Sequence, residues 1–132
     1  MSEPAWLELR SALVDTGVFI LWYRGDARAR RFFRNQHTII YYSKVVRKEL
    51  LRPPISDSER RRILALLRTM RLINPDLQIA AAYSDLLGRY PYLRDHLAGA
   101  LIAATAWAKN LPIVTVNRRH FDPIAEIEVI SF

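Results

Sequence analysis

The sequence predicts an α/β protein in which a mainly parallel sheet lies between two layers of helices, a three-layer sandwich formed by a single domain of residues 1–132. Short segments rich in β-branched residues alternate with longer segments of helical periodicity, which is typical of sheets built from strand–helix–strand units. The segment PIVTV at 112–116 is apolar except for its threonine, as expected at the centre of a parallel sheet. With 132 residues, 51% of them hydrophobic, the chain can form one packed core.

Five segments are predicted to be strands. The first, ALV, is a short apolar run that ends at a carboxylate. The second, TIIYY, is rich in the β-branched and aromatic side chains that favour strands. The PIVTV segment and two other short apolar segments complete the set. The predicted strands are residues 12–14, 38–42, 72–73, 112–116 and 127–130.

The predicted helices are bounded by residues that commonly begin and end helices. Asp26 and Ser43 are positioned as N-caps, and Ser56 begins the sequence SDSE, which has the spacing of a capping box. Pro75 suits the first turn of a helix, and Gly88 suits its end. The predicted helices are residues 18–23, 27–35, 43–52, a segment that begins after the SDSE capping box, 75–87 and 96–109.

The composition excludes several classes of protein. Without cysteine, the chain cannot form a disulfide, a thiol nucleophile or a cysteine-ligated zinc site, which fits a reducing cytoplasm. No apolar run reaches the roughly 18–20 residues that cross a membrane. The N-terminal sequence MSEPAWLELR lacks the basic start and apolar stretch of a signal peptide. We therefore expect a cytoplasmic protein that does not associate with membranes.

The chain is strongly basic, with 20 lysines and arginines, 13 acids and a formal net charge of +7. Such a charge suits a polyanionic partner such as RNA, DNA or an acidic protein segment. The alternative is a basic surface with no specific partner, and charge alone does not decide between them. Arg118 and Arg119 are candidates for phosphate contacts. Weaker candidates, which could equally form a protein-binding or solvated face, are Arg28, Arg31, Arg60, Arg61 and Arg62.

One carboxylate lies between two apolar runs near the N-terminus. Asp15 follows the strand 12–14 and precedes the apolar run 18–22, which is a costly position for an unpaired charge. It could simply be a helix N-cap that accepts the amide of Gly17 or Val18. It could also be functional, because ligands of parallel sheets bind beyond the carboxyl ends of the strands. Asn117 follows the PIVTV strand and would emerge at the same edge.

A second carboxylate lies on an apolar helix face. Glu49 follows Val45 by four positions and Val46 by three, so it shares their side of the helix. A carboxylate on a core-facing stripe is a candidate for function. The alternative is a border position with a weak pairing to Lys48 or Arg52, worth about 0–1 kcal/mol.

The start of the alanine-rich helix combines an acid with a glycine. Asp95 precedes the helix, where an N-cap is its ordinary role. Gly99 lies one turn later, and a glycine inside a helix costs about 1 kcal/mol relative to alanine, so it suggests a close approach or an altered site. The three histidines show no metal-ligand spacing and are interpreted as surface or loop residues: His37, His96 and His120.

The candidate residues suggest one kind of chemistry. Carboxylate and amide oxygens, without cysteine or paired histidines, favour a hard cation such as Mg²⁺ or Mn²⁺. Such an ion binds a phosphate oxygen and lowers the pKa of a bound water. Together with the basic surface, this predicts hydrolysis of a phosphodiester in a nucleic acid.

Four segments spread over almost the whole chain resemble those of PIN-domain ribonucleases and, among them, the VapC toxins of toxin–antitoxin pairs. They are LVDTGVF, YYSKVVRKELL, LAGALIAATA and IVTVNRRHF, in this order. The resemblance implies a PIN-like fold and Mg²⁺- or Mn²⁺-dependent cleavage of structured RNA such as tRNA or rRNA. It also implies a homodimer and a cognate antitoxin protein that blocks the active site.

The resemblance also assigns residues to the site. Asp15 and Glu49 match the first two acids of the family pattern. The resemblance implies that Asp15 holds the metal ion and that Glu49 either holds it as well or orients the attacking water. Asn117 matches a fourth position held by Asp or Asn, and His120 lies where many members have another acid. The resemblance therefore predicts a metal site built on Asp15 and Glu49 and assisted by Asn117.

The sequence departs from the PIN pattern at the third acid. That position is Gly99, which has no side chain to bind a metal. Asp95 lies one helical turn earlier, about 6 Å along the axis, and is the candidate replacement, acting directly or through a metal-bound water. The alternative is a catalytically impaired PIN domain that binds RNA or a protein without cutting it. A nuclease that acts on DNA is a third possibility.

Overall fold

A computed structural model of the protein describes residues 3–132, which form a five-stranded sheet flanked by helices. The strand order is β3-β2-β1-β4-β5, and every neighbouring pair is parallel. The predicted α/β fold with a parallel sheet is confirmed, with strand bounds within about two residues of those predicted. The strands are β1 (Ser11–Val14), β2 (Ile39–Ser43), β3 (Arg71–Ile73), β4 (Ile113–Thr115) and β5 (Val129–Ser131).

Seven α-helices connect the strands in the described residues, and short 3₁₀ helices lie at Ala5–Leu7 and Pro91–Asp95. The predicted caps are confirmed at three helices. Asp26 and Ser43 each accept a hydrogen bond from the first turn of the helix that follows, and Ser56 forms both halves of a capping box with Glu59. The helices are α1 (Thr16–Tyr23), α2 (Ala27–Arg34), α3 (Lys44–Leu51), α4 (Asp57–Arg68), α5 (Leu77–Arg89), α6 (Leu97–Lys109) and α7 (Arg118–Phe121).

The prediction for α5 was wrong at both ends. The helix is capped by Asp76, which accepts a hydrogen bond of 2.9 Å from the Ile79 amide, so Pro75 lies outside it. At the other end, α5 continues through Gly88 to Arg89. It stops at Tyr90, which has an extended φ of −128° because the proline that follows disfavours a helical conformation. Pro91, rather than Gly88, therefore sets the C-terminal end of α5.

The strand order places a crevice at one point of the sheet edge. The chain proceeds outward from β1 through β2 to β3 and then crosses back to β4 on the other side of β1. Right-handed crossovers put the helices of these two halves on opposite faces of the sheet. The crevice between β1 and β4, at the carboxyl ends of the strands, is where ligands bind in folds of this kind. Asp15 follows β1 and therefore lies there.

The core is continuous across the molecule and includes both ends of the described chain. Trp6 packs edge-on against Phe32, with ring centroids 5.5 Å apart, and lies 4.7 Å from the ring of Phe132. Trp6 and Phe32 are both buried. No helix of residues 3–132 is long and apolar enough to cross a membrane.

Candidate active site

Asp15 is held by hydrogen bonds from two elements. Its carboxylate accepts one bond of 2.8 Å from the Thr16 amide and another of 2.9 Å from the Thr115 hydroxyl at the end of β4. It occupies the N-cap position of α1, but its side chain bonds neither the Gly17 nor the Val18 amide that the capping interpretation proposed, and the Val18 amide bonds the Asp15 backbone carbonyl at 3.2 Å instead. The carboxylate is therefore fixed across the crevice between β1 and β4.

Gly17 allows this arrangement. A Cβ atom at position 17 would lie 2.5 Å from Cγ2 of Val116, just beyond β4. Any side chain there would require either Val116 or the start of α1 to shift. The glycine thus permits the close approach that brings Asp15 into contact with Thr115.

Glu49 is connected to Asp15 through a single residue. The Thr16 hydroxyl donates a hydrogen bond of 2.9 Å to Oε1 of Glu49, while its amide bonds Asp15. Both carboxylates are partly buried. The weak pairing of Glu49 with Lys48 or Arg52 is not observed in the part of the chain that the structure describes. Residues 34 positions apart in the sequence are thus brought into one site.

A groove of about 390 Å³ contains all four of the predicted catalytic positions: Asp15, Glu49, Asp95 and Asn117. Asp95 ends the second 3₁₀ helix and is exposed, and His96 rather than Asp95 holds the N-cap position of α6. The backbone amide of Asn117 donates a hydrogen bond of 3.0 Å to the Thr115 hydroxyl, and the Asn117 side chain does not cap α7. The roles of Asp95 and Asn117 stay predictions.

The two carboxylates fit a site for one hard divalent cation that is completed by water and substrate, rather than a site formed wholly by protein ligands. Among residues 3–132, no three histidines, cysteines, aspartates or glutamates lie close enough together to hold a metal ion. However, Mg²⁺ is commonly held by one or two carboxylates, with water and substrate phosphates completing its shell. Asp15 and Glu49, joined through Thr16, have the oxygen chemistry for such a site.

The position of the missing third acid is filled by another side chain. A Cβ atom at Gly99 would lie 2.8 Å from Cδ2 of the His120 ring and closer still to its Nε2. The imidazole therefore occupies the space into which a side chain at position 99 would project. Sequence reasoning treated His120 as a surface residue and missed this contact. The available signal was the glycine inside an otherwise strong helix.

The His120 ring is enclosed from several sides. Its centroid lies 4.8 Å from that of His96 and 4.9 Å from that of Phe121, and the Tyr92 hydroxyl donates a 2.7 Å bond to its backbone carbonyl. Burial lowers the pKa of His120 below its ordinary value, and His96 lowers it further, while Asp15 opposes the shift. The groove thus combines two carboxylates with an imidazole whose neutral form is favoured.

Three of the predicted phosphate-binding arginines form ion pairs within the chain. Arg118 pairs with an Asp122 oxygen at 3.0 Å, Arg31 pairs with Glu3 at 2.7 Å, and Arg28 lies 3.6 Å from an Asp26 oxygen. Arg119 is exposed at the start of α7. These pairs leave the first three arginines less available to a polyanion than the sequence alone suggested.

The geometry defines a class of protein: a parallel α/β domain with converging carboxylates at the point where the strand order reverses. The PIN domain family model matches residues 12–127, and the chain belongs to this family. The predicted membership of the PIN family is thereby confirmed. No curated protein matches the sequence significantly.

Solved structures share the fold. The crystal structure of VapBC2 from Rickettsia felis, bound to a DNA fragment from its promoter, is 17% identical with a TM-score of 0.77 and covers 92% of this chain and 98% of its own. A toxin–antitoxin complex from Klebsiella pneumoniae is 25% identical with a TM-score of 0.74, covering 88% and 94%. VapBC-1 from nontypeable Haemophilus influenzae is 18% identical with a TM-score of 0.75, covering 92% and 97%.

Proposed function

We propose that the protein is a metal-dependent endoribonuclease that cleaves structured RNA, such as tRNA or rRNA, as the toxin of a toxin–antitoxin pair. The observation that carries the proposal is the pairing of Asp15 and Glu49 through Thr16 in the crevice of a PIN fold. PIN domains are generally nucleases, and a divalent ion is the usual means of hydrolysing a phosphodiester with carboxylates alone. The proposal places the protein in the cytoplasm with its RNA substrate.

Asp15 and Glu49 would hold a Mg²⁺ or Mn²⁺ ion, which supplies an activated water and neutralises phosphate charge. The Thr115 hydroxyl and the Thr16 amide keep the Asp15 carboxylate facing the groove. The Thr16 hydroxyl does the same for Glu49. Asp95 would add negative charge at the rim, and the Asn117 amide group would position the RNA.

The test is cleavage of tRNA and rRNA with added Mg²⁺ or Mn²⁺. We expect cleavage by the wild-type protein, its loss with EDTA, and its loss in Asp15→Asn, which keeps the size of the side chain but removes its charge. Asp85→Asn changes an exposed acid of α5 and is the matched control, expected to cleave normally. Cleavage that persists in Asp15→Asn would contradict the assignment of the site.

The His120 ring fills the space beside Gly99, where the third acid of the PIN pattern would lie. This favours a second candidate function, that of a PIN domain that binds RNA or protein without cutting it. In that case RNA binding would persist in EDTA and in Asp15→Asn, and no metal would elicit cleavage. A comparison of binding and cleavage with the same RNA separates the two functions. The same assay with single-stranded DNA tests the third possibility.

We also propose a cognate antitoxin as the partner. The solved relatives named above are described as VapBC or toxin–antitoxin complexes. An apolar groove of about 290 Å³ lies between α1, α3 and α4, and Glu49 lines both this groove and the candidate active site. A peptide bound there would reach the catalytic carboxylate. We expect a small protein encoded directly upstream to inhibit cleavage when mixed with this one.

The homodimer implied by the family resemblance is part of the same proposal. Sedimentation equilibrium measures the mass of the protein directly, and we expect twice the mass of one chain. A mass equal to that of a single chain at micromolar concentration would contradict the dimer, while leaving the proposed chemistry intact.

A further inference from the structure

A third groove, of about 440 Å³, is lined mainly by basic residues. Five exposed basic side chains surround it: Lys44, Arg47, Lys48, Arg52 and Arg60. Leu51 and Leu72, both partly buried, form its apolar part. We call it the cationic groove. Its charge is of one sign, because no acid lines it.

The cations of this groove make no ion pair among residues 3–132. Of the three acids that lie nearest in the sequence, Asp57 makes no ion pair with these cations, and the other two are engaged elsewhere. Glu49 accepts a hydrogen bond from the Thr16 hydroxyl. Glu59 forms the capping box with Ser56 and accepts a hydrogen bond from the Tyr23 hydroxyl. The groove therefore carries uncompensated positive charge, unlike the paired arginines Arg28, Arg31 and Arg118.

The cationic groove shares a helix with the candidate active site. Lys44, Arg47 and Lys48 have the i, i+3, i+4 spacing of one face of α3. Glu49 of the same helix lines the groove of the candidate active site. The helix starts at the carboxyl end of β2, next to β1, so Lys44 lies at the sheet edge that bears Asp15. The two grooves are thus both lined by residues of α3.

We infer that the cationic groove binds the phosphodiester backbone of the RNA strand that leads into the site at Asp15 and Glu49. The inference rests on the proposed function, and it reassigns the phosphate contacts from Arg28, Arg31 and Arg118 to α3 and α4. A row of unpaired cations at helical spacing fits a repeating anion. The apolar part of the groove suits a sugar or base face.

The experiment measures binding of a short fluorescein-labelled single-stranded RNA of mixed sequence by anisotropy, in the uncleaving Asp15→Asn background. Each phosphate contact on a single strand contributes about 0.7 to the slope of log K against log salt. The variant Lys44→Gln/Arg47→Gln/Lys48→Gln should lower that slope by about 2 between about 50 and 200 mM NaCl. Arg52→Gln/Arg60→Gln is an independent second variant, expected to lower it by about 1.

The matched control is Arg10→Gln/Arg34→Gln/Arg68→Gln, which removes the same number of charges from exposed positions outside the groove, one before β1, one in α2 and one in α4. We expect its salt slope to stay near that of the parent, and thermal melting to show that all variants are folded. An unchanged slope in both groove variants would overturn the inference. So would groove-dependent binding of a polyglutamate peptide with RNA binding unaffected.

The outcome is independent of the proposed cleavage. Wild-type cleavage with unchanged slopes in the groove variants would support the nuclease and overturn the groove. A lowered slope without cleavage by the wild-type protein would support the groove as an RNA site and contradict the nuclease.

Discussion

At the scale of single residues, Gly99 and His120 depend on each other. The His120 ring fills the space beside Gly99, and any Cβ there would require the ring to shift. The sequence identified position 99 as a departure from the PIN pattern, but it did not reveal what fills the space. That contact joins residues 21 positions apart and depends on α7, a helix of four residues that is too short to show a periodic pattern.

This dependence predicts the result of restoring the acid. Gly99→Asp alone should displace His120, reduce the free energy of unfolding by about 1–3 kcal/mol, and leave metal affinity unimproved, because the new carboxylate meets the ring. Gly99→Asp/His120→Ala should accommodate the carboxylate and bind Mn²⁺ more tightly than the wild-type protein. Urea denaturation measures the stability, and Mn²⁺ titration by electron paramagnetic resonance measures the affinity.

His120→Ala alone is the control for that pair, since it removes the ring without adding a ligand. If Gly99→Asp alone bound Mn²⁺ as tightly as the double variant, then His120 would not obstruct position 99, and the overlap would have no functional consequence.

Thr16 is the residue that sequence reasoning did not single out, although it lies inside the DTG segment. Its amide and hydroxyl hold the two carboxylates together. Thr16→Val keeps the shape but removes the hydroxyl bond to Glu49, so cleavage should fall about 10- to 100-fold, as is typical when a residue that orients a metal ligand is lost. Thr16→Ser keeps the hydroxyl and should cleave nearly normally. Equal activity in the two variants would contradict an orienting role for the hydroxyl.

At the scale of elements, the sequence was informative where local chemistry decides the structure. Asp26, Ser43 and the Ser56–Glu59 pair were identified as caps because a helix needs partners for its first amides, and that need is visible over four residues. The site could be predicted in part, because parallel strands bring Asp15 and Asn117 to one edge. The ends of α5 and the presence of α7 depend on neighbouring structure and were missed or placed wrongly.

The capping box of α4 gives a prediction at this scale. Ser56 accepts the Glu59 amide at 3.1 Å, and Glu59 accepts the Ser56 amide at 3.1 Å. Ser56→Ala removes one of these bonds and should lower the free energy of unfolding by about 1 kcal/mol. Ser58→Ala changes an exposed serine within the same helix and should have little effect. Urea denaturation of the two variants provides the comparison, and equal stability would mean that the cap contributes nothing.

At the scale of the whole molecule, a crevice that contains carboxylates lies beside a surface that is rich in lysine and arginine. The reversal of strand order collects carboxylates in one crevice, while the surrounding surface carries the net charge of +7. Only five of the twenty lysines and arginines form ion pairs in residues 3–132. The excess cations attract a polyanion and also repel one another, so the charge that suits RNA opposes the compact fold.

This opposition predicts that salt shifts stability and RNA binding in opposite directions. Raising NaCl should screen the repulsion among unpaired cations and raise the melting temperature of the free protein, since the few exposed ion pairs contribute only about 0–1 kcal/mol each. The same salt should weaken RNA binding steeply, because the release of counterions from the RNA becomes less favourable as the salt concentration rises. Differential scanning calorimetry and anisotropy over one NaCl series measure both effects. A melting temperature that falls as NaCl rises would show instead that the five ion pairs outweigh the repulsion.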